Sequence, residues 1–148
     1  MKKLIISAAI LLTVATAAFA KSTDNDKALA TLKHAYPTAS SISWKMLDNE
    51  YSVATFVTNG ITMKAIYNDA GELVATSRPV TLKELPAGTL NKVNEKYTDY
   101  TIKEAIEYNS VNMDQDTYFY VSVENDRKRV LLQITKDGSV SEFKMTKK

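Results

Sequence analysis

The 148-residue chain contains no cysteine and a single histidine, His34. The first absence excludes a disulfide scaffold, a thiolate zinc site, a cysteine nucleophile and a lipid-bearing N-terminal cysteine. The second leaves little for metal ligation or general-base chemistry. A surplus of one charge is also nearly missing, since 19 basic and 17 acidic side chains give a formal +2. Nucleic-acid binders normally carry a clear basic surplus, so that class is set aside. What remains is a chain long enough to bury a core without covalent staples.

Met1-Lys2-Lys3 is a short basic start, and the chain from Leu4 to Ala18 is apolar or small. Ala18-Phe19-Ala20 then places small residues at the two positions that a signal peptidase reads. Such a run rises only ~22 Å as a helix, short of the ~30 Å hydrocarbon core. A secretory signal over residues 1–20, cleaved after Ala20, is therefore preferred to a membrane anchor or an apolar first helix. Removing Lys2 and Lys3 leaves 17 basic against 17 acidic side chains, so the slight basicity belongs to the leader. Without a twin-arginine pair or a cysteine at the cleavage site, the expected product is periplasmic or secreted. It keeps no membrane anchor after signal cleavage.

Beyond the leader one pattern occurs twice. Ala28, Leu29, Leu32, Ala35 and Tyr36 make one helical face within Asp24 to Tyr36, with Asp24 or Asn25 as cap and Pro37 as stop. Strand-like runs follow at Ile42 to Leu47, Tyr51 to Thr58, Thr62 to Asn68 and Leu73 to Arg78. Asp48-Asn49-Glu50, Asn59-Gly60 and Asp69-Ala70-Gly71 supply the turns between them. Connections this short favour antiparallel pairing. The pattern restarts at Thr81-Leu82-Lys83-Glu84, which reads as a capping box or a tight turn, and Pro86 suits the first turn of a helix that runs to about Tyr97. Strands are expected again at Thr101 to Tyr108, Tyr118 to Glu124, Arg129 to Thr135 and Val140 to Met145.

Tyr36 matches Tyr97 at an offset of 61, while Tyr51 matches Tyr118 and Gly71 matches Gly138 at 67. The extra residues fall in Asn109 to Asp116, a longer polar loop of the second copy. A period this long is no solenoid repeat. The expected fold class is α+β: two tandem α-β-β-β-β repeats, residues 21–80 and 81–148, forming one duplicated domain. The copies share an antiparallel sheet of about eight strands with helices packed on one face.

Tyr36-Pro37-Thr38-Ala39, Ile42-Ser43-Trp44, Tyr51-Ser52-Val53 and Asp69-Ala70-Gly71, then Leu85-Pro86, Tyr118 and Lys136-Asp137-Gly138, carry a resemblance. In this order they resemble the PepSY-like, β-lactamase-inhibitor-like secreted proteins of Bacteroidetes, over roughly Ala28 to Met145. The resemblance implies tandem helix-plus-four-strand repeats and a concave sheet face whose loops grip another protein. It carries over no inhibitory residue set, and this chain lacks the disulfides of those inhibitors.

The chemistry-bearing residues read as structural. His34 sits beside the apolar stripe of the first helix with no second histidine or cysteine to join it. Asp48, Glu50, Asp69, Asp114, Asp116 and Asp137 occur in turns, where Asp is expected for backbone reasons. A glycosidase-like carboxylate pair has no cue in the sequence. Neither Asp114-Gln115-Asp116 nor Asp69-Ala70-Gly71 has the spacing of a calcium loop, and no serine has a nucleophile-elbow context. No enzyme activity, cofactor or metal is expected. Arg127-Lys128-Arg129 is the one dense basic patch; it reads as a solvated turn, with contact to an anionic surface as the alternative. Trp44 reads as core.

The strand faces are more informative. Phe119, Val121 and Val123 alternate with Tyr118, Tyr120, Ser122 and Glu124, and Val130, Leu132 and Ile134 with Arg129, Leu131, Gln133 and Thr135. The first sets should lie under the helices; the second mix tyrosine with polar groups. The 67-residue offset carries that second face back to Tyr51, Val53, Thr55, Lys64 and Ile66. An open face bearing Tyr51, Val53, Lys64, Ile66, Tyr118, Tyr120, Leu131 and Gln133 suits a partner surface, because tyrosine offers large contact area and a polar tip. The same residues also serve β-propensity and cross-strand packing. The expected function is a non-catalytic periplasmic or secreted module that binds a protein or peptide, in the manner of an inhibitor. The alternative is a small-ligand-binding or cell-envelope sensor module.

Overall fold

The computed structural model describes residues 26–47, 50–111 and 116–148. The expected leader with its cleavage site, the Asp24 or Asn25 cap, Asp48-Asn49 and Asp114-Gln115 lie outside the described residues. In chain order the elements are α1 (Asp26–Ala35), β1 (Ser40–Met46), β2 (Tyr51–Thr58), β3 (Ile61–Asn68) and β4 (Leu73–Pro79). A 3-10 turn (Leu82–Glu84), α2 (Thr89–Lys96), β5 (Thr101–Ser110), β6 (Thr117–Glu124), β7 (Lys128–Thr135) and β8 (Val140–Lys147) follow. The strands form an eight-stranded antiparallel sheet in which each pairs with its sequence neighbours. The expected α+β class with two helices is what the chain adopts.

By contacts the described chain divides into two compact units. One comprises residues 26–79 with the described part of 107–118; the other comprises 80–106 with 119–148. In the first unit α1 lays Ala28 and Leu32, both fully buried, onto Ala54 and Phe56 of β2 and Ala65 and Tyr67 of β3. Tyr36 meets Phe56 at 4.9 Å between ring centroids and Trp44 meets Tyr67 at 5.6 Å, so Trp44 belongs to this core. The β2–β3 turn is Asn59-Gly60 with φ of 50° and 76°, the left-handed pair that matches the strand twist and holds Thr58 opposite Ile61.

In the second unit α2 sets Val93 against Ala105, Val121, Val123, Val130, Leu132 and Ile134. The start of this helix differs from expectation. Glu84 Oε2 accepts from the Thr81 N–H at 2.7 Å, closing a separate 3-10 turn, and α2 begins only at Thr89, after Gly88 in a left-handed conformation. Pro86 stands in the intervening turn, its carbonyl accepting from the Thr89 N–H at 3.1 Å.

Equivalent residues do equivalent work in the two copies. At the 61-residue offset Ala28 and Leu32 become Thr89 and Val93; at 67, Ala54, Phe56, Ala65 and Tyr67 become Val121, Val123, Leu132 and Ile134. All twelve are at most 1 % exposed. The first copy fills its core with alternating alanine and aromatic residues, the second with aliphatics of middle size. Total volume is met in two ways, which is why the repeats share so little identity. The turn before each last strand also docks on its helix: Thr31 Oγ1 donates to the Gly71 carbonyl at 3.0 Å, and Lys92 Nζ to the Gly138 carbonyl at 2.8 Å. Thr31 and Lys92 are themselves 61 residues apart.

Gly71, with φ +79°, is packed so tightly that a Cβ there would lie 2.6 Å from Lys27 Cβ and 2.9 Å from the Ala28 nitrogen. Gly60, with φ +76°, has open space around the same position. Gly60→Ala is expected to cost about 1 kcal/mol, the left-handed penalty alone. Gly71→Ala adds a backbone clash at α1 and is expected to cost roughly 1–3 kcal/mol more. Urea unfolding of the two variants checks this; equal midpoints would show that the helix-to-turn contact is not tight.

Candidate functional site

On the face of the first unit turned away from α1, Val53, Ile66 and Ala75 stand in cross-strand register, with Thr55, Lys64 and Ser77 in the adjoining row. Val53 is 6 % exposed and Ile66 and Ala75 are fully buried. Tyr51 and Lys64 are half-buried. In the second unit the corresponding face holds Tyr120, Ser122 and Leu131, all buried, with Gln133 half-buried; Tyr118, also half-buried, precedes Tyr120 on β6 and belongs to the first unit by contacts. Gln133 Nε2 donates to Tyr120 Oη at 2.8 Å, and the Tyr120 ring meets the edge of Phe143 at 5.3 Å.

The expected open face is thus corrected. Of the eight residues assigned to it, Val53, Ile66, Tyr120 and Leu131 are buried, and Tyr51, Lys64, Tyr118 and Gln133 are only partly accessible. The strands do alternate as read, yet alternation says only which side a residue faces, not whether that side meets water. Val53 stands directly opposite Ile66 across the strands, and Tyr120 is fixed by one ring and one amide.

Phase alone also missed Phe143. A bulge gives β8 an extra residue where Leu131 pairs with Lys144 and Leu132 with Glu142, so Phe143 falls between paired positions. Its phase relative to Val140, which pairs with Ile134, was the available signal. A polar ladder went unnoticed for the same reason, that pairing partners are distant in sequence. Arg78 Nη2 donates to Glu107 Oε2 at 2.6 Å, Asn109 Nδ2 to Glu107 Oε1 at 2.8 Å, and Thr117 Oγ1 to Asn109 Oδ1 at 2.7 Å. This ladder ties β4, β5 and β6 within the first unit.

Titratable groups with shifted pKa values move away from neutrality. Burial pushes the Tyr67 hydroxyl up to about 12, and burial followed by the bond to Glu142 raises Tyr97 further. Glu142 is held below the usual carboxylate range by the Tyr97 hydroxyl, 2.7 Å away, and then by Lys96. The Thr135 and Ser139 hydroxyls lower Asp137 in the same way. Glu124 falls from the ordinary 4.5 to about 2, chiefly through Arg129 and then Lys148, with Lys103 adding a third cation. A general acid or base works best with a pKa near the operating pH, and these shifts run the other way. His34 is exposed on α1. Among the described residues no three His, Cys, Asp or Glu side chains converge as metal ligands.

With this geometry established, the class is that of a β-lactamase-inhibitor-like fold: tandem repeats of a short helix over four antiparallel strands. Solved structures share it closely. A proposed periplasmic protein of Bacteroides eggerthii superimposes with a TM-score of 0.72 at 23 % identity, covering 86 % of this chain and 90 % of its own. A BLIP-like protein of Bacteroides fragilis gives 0.67 at 21 %, covering 88 % of each chain. A DUF2874 family protein of Bacteroides uniformis gives 0.71 at 21 %, covering 86 % and 90 %. At these identities the likeness shows the fold. No protein-family model matches the chain, and no curated protein does either. No helix among the described residues is long and apolar enough to cross a membrane.

Glu124 offers a direct check on the site's electrostatics. A depressed carboxylate contributes stability that is complete above its unfolded value and is lost as pH falls through its folded value. The window here runs from about 4.5 down to about 2. Carbon-detected titration is expected to show the Glu124 carboxyl still ionised near pH 3, and Glu124→Gln is expected to flatten the acid limb of the stability profile. Because the three cations that hold it are themselves exposed, added salt should shrink both effects. A midpoint at the ordinary glutamate value would show that the three cations do not hold it.

Proposed function

We propose that this chain is a non-catalytic periplasmic or secreted module that binds a protein or peptide through the half-buried residues of its second sheet faces. One observation carries the reading: each repeat places a half-buried tyrosine, Tyr51 and Tyr118, at the start of its second strand on the face away from its helix. The two are equivalent at the 67-residue offset. Lys64 and Gln133 add polar tips to the same faces, while Val53 and Ile66 in one unit, and Tyr120 and Leu131 in the other, are already desolvated. Such an arrangement is rigid before contact, so little side-chain entropy is lost on binding. The inhibitor-like relatives of the fold and the periplasmic neighbour support this class and compartment. The PepSY-like likeness of the turn and helix motifs, the leader over residues 1–20 and a cleavage after Ala20 belong to the same proposal. Nucleic acid is not among the proposed partners.

A photo-reactive residue at position 118 is expected to cross-link one dominant protein in an extract of the host envelope. Tyr51→Ala and Tyr118→Ala, with unchanged far-UV spectra, are each expected to lower recovery roughly tenfold, as truncation of an interfacial aromatic does. Full recovery by both variants would place the contact elsewhere on the molecule. Thermal stabilisation by a small molecule in the absence of any protein partner would favour a ligand sensor instead.

A further inference from the structure

The basic run Arg127-Lys128-Arg129 forms no part of the proposed binding faces, yet the fold enlarges it. It occupies the β6–β7 turn and the start of β7, and pairing brings the end of β8 beside it. Lys128 stands directly opposite Lys147, Arg129 opposite Thr146 and Leu131 opposite Lys144. The Lys148 N–H donates to the Arg127 carbonyl at 3.0 Å, which draws another lysine onto the turn. Lys103 of β5 reaches the same corner, 3.3 Å from Glu124. Seven cations, Lys103, Arg127, Lys128, Arg129, Lys144, Lys147 and Lys148, therefore gather at one corner of the second unit.

Acidic neighbours offset only part of this. Glu124 alone serves Lys103, Arg129 and Lys148, at 3.3, 3.0 and 3.2 Å. Asp126 lies in the turn, and Glu142, on β8, is bonded by Tyr97 and Lys96 and also attracts Lys128. The surplus stays positive at the corner of a chain that is otherwise nearly neutral.

Edge protection explains lysines on β8, because a charged outer strand resists pairing with another chain. It does not explain Arg127 and Lys128 on the turn and inner strand, nor Lys128 opposite Lys147, since like charges directly opposite destabilise a ladder. Strand alternation also sends Lys128 and Lys147 to one side of the sheet and Arg129 and Lys144 to the other. A ligand seated on one face would meet half of them. A planar polyanion met end-on would meet all of them. Met145, 48 % exposed between Lys144 and Lys147, adds an apolar tip at the same corner.

We propose that the corner formed by the β6–β7 turn and the end of β8 is a peripheral docking surface for an anionic phospholipid bilayer, with Met145 entering the headgroup layer. Polybasic segments gain attraction with each Lys or Arg brought near such a surface, and the attraction fades within a Debye length. Contact of this kind is reversible and salt-dependent, and it leaves the tyrosine-bearing faces free for a protein partner.

Vesicle co-sedimentation tests it, with the protein recovered from its own host in its naturally processed form. Binding to phosphatidylglycerol-containing vesicles is expected to exceed binding to pure phosphatidylcholine by on the order of tenfold at low salt, and to vanish as salt rises. The variant R127E/K128E/K147E, with an unchanged thermal midpoint, is expected to lose the anionic preference, and Met145→Ser to weaken it. Equal partition to neutral vesicles, or no change in the charge-reversed variant, would overturn the proposal. So would complete displacement by polyglutamate at matched charge, which would assign the corner to an acidic polypeptide. Failure to cross-link a protein at position 118 leaves this result untouched, because the two surfaces share no tested residue.

Discussion

Everything in this molecule depends on a short helix having somewhere to put two side chains. A helix of ten residues, or of eight, is too short to persist in water, so its stability has to come from the strands beneath it. Ala28 and Leu32 in one copy, and Thr89 and Val93 in the other, are the residues that make that contact, and none is more than 1 % exposed. The strands are equally dependent. Without the helix, Phe56, Tyr67, Leu132 and Ile134 would face water on sheets too thin to protect them. The bond from helix to glycine turn, made by threonine in one copy and lysine in the other, fixes the helix along the strands once the apolar contact has formed.

Function has to be placed around that core. The shifted carboxylates and tyrosines are held by hydroxyls, ammonium groups and burial in the forms they keep at neutral pH, which serves stability rather than proton transfer. The tyrosines at equivalent strand starts and the cationic corner are different in kind. They lie outside the two helix-covered cores and keep partial access to solvent. One favours contact through packed, amphipathic rings and the other through long-range charge, so the two differ in their response to salt.

Repeat architecture was legible because turn chemistry and strand phase are local properties. Asn59-Gly60 announced a tight hairpin and formed one. The strand run from Tyr51 to Thr58 appears with the expected bounds, and the others shift at their ends by one or two residues. The box and tight turn over Thr81–Glu84 formed as read, whereas Pro86 stands in a turn before α2 instead of in its first helical turn. The candidate site was legible only as a list of residues sharing a phase. That Val53, Ile66, Tyr120 and Leu131 are withdrawn from water, while Tyr51 and Tyr118 keep partial access, depends on cross-strand neighbours far away in the chain.

The sequence by itself determined the helices and strands, their duplication and the division of each strand into two faces. Its lack of cysteine also removed whole classes of chemistry and left the fold to rely on packing. Tertiary structure alone decided which of those faces stays wet, that Phe143 meets Tyr120, and that Lys147 and Lys148 join Arg127 and Lys128 at one corner. The reason is physical. Propensity and phase act over a few residues, whereas burial and charge density are set by whatever the register brings alongside, and a single bulge in β8 changes that register.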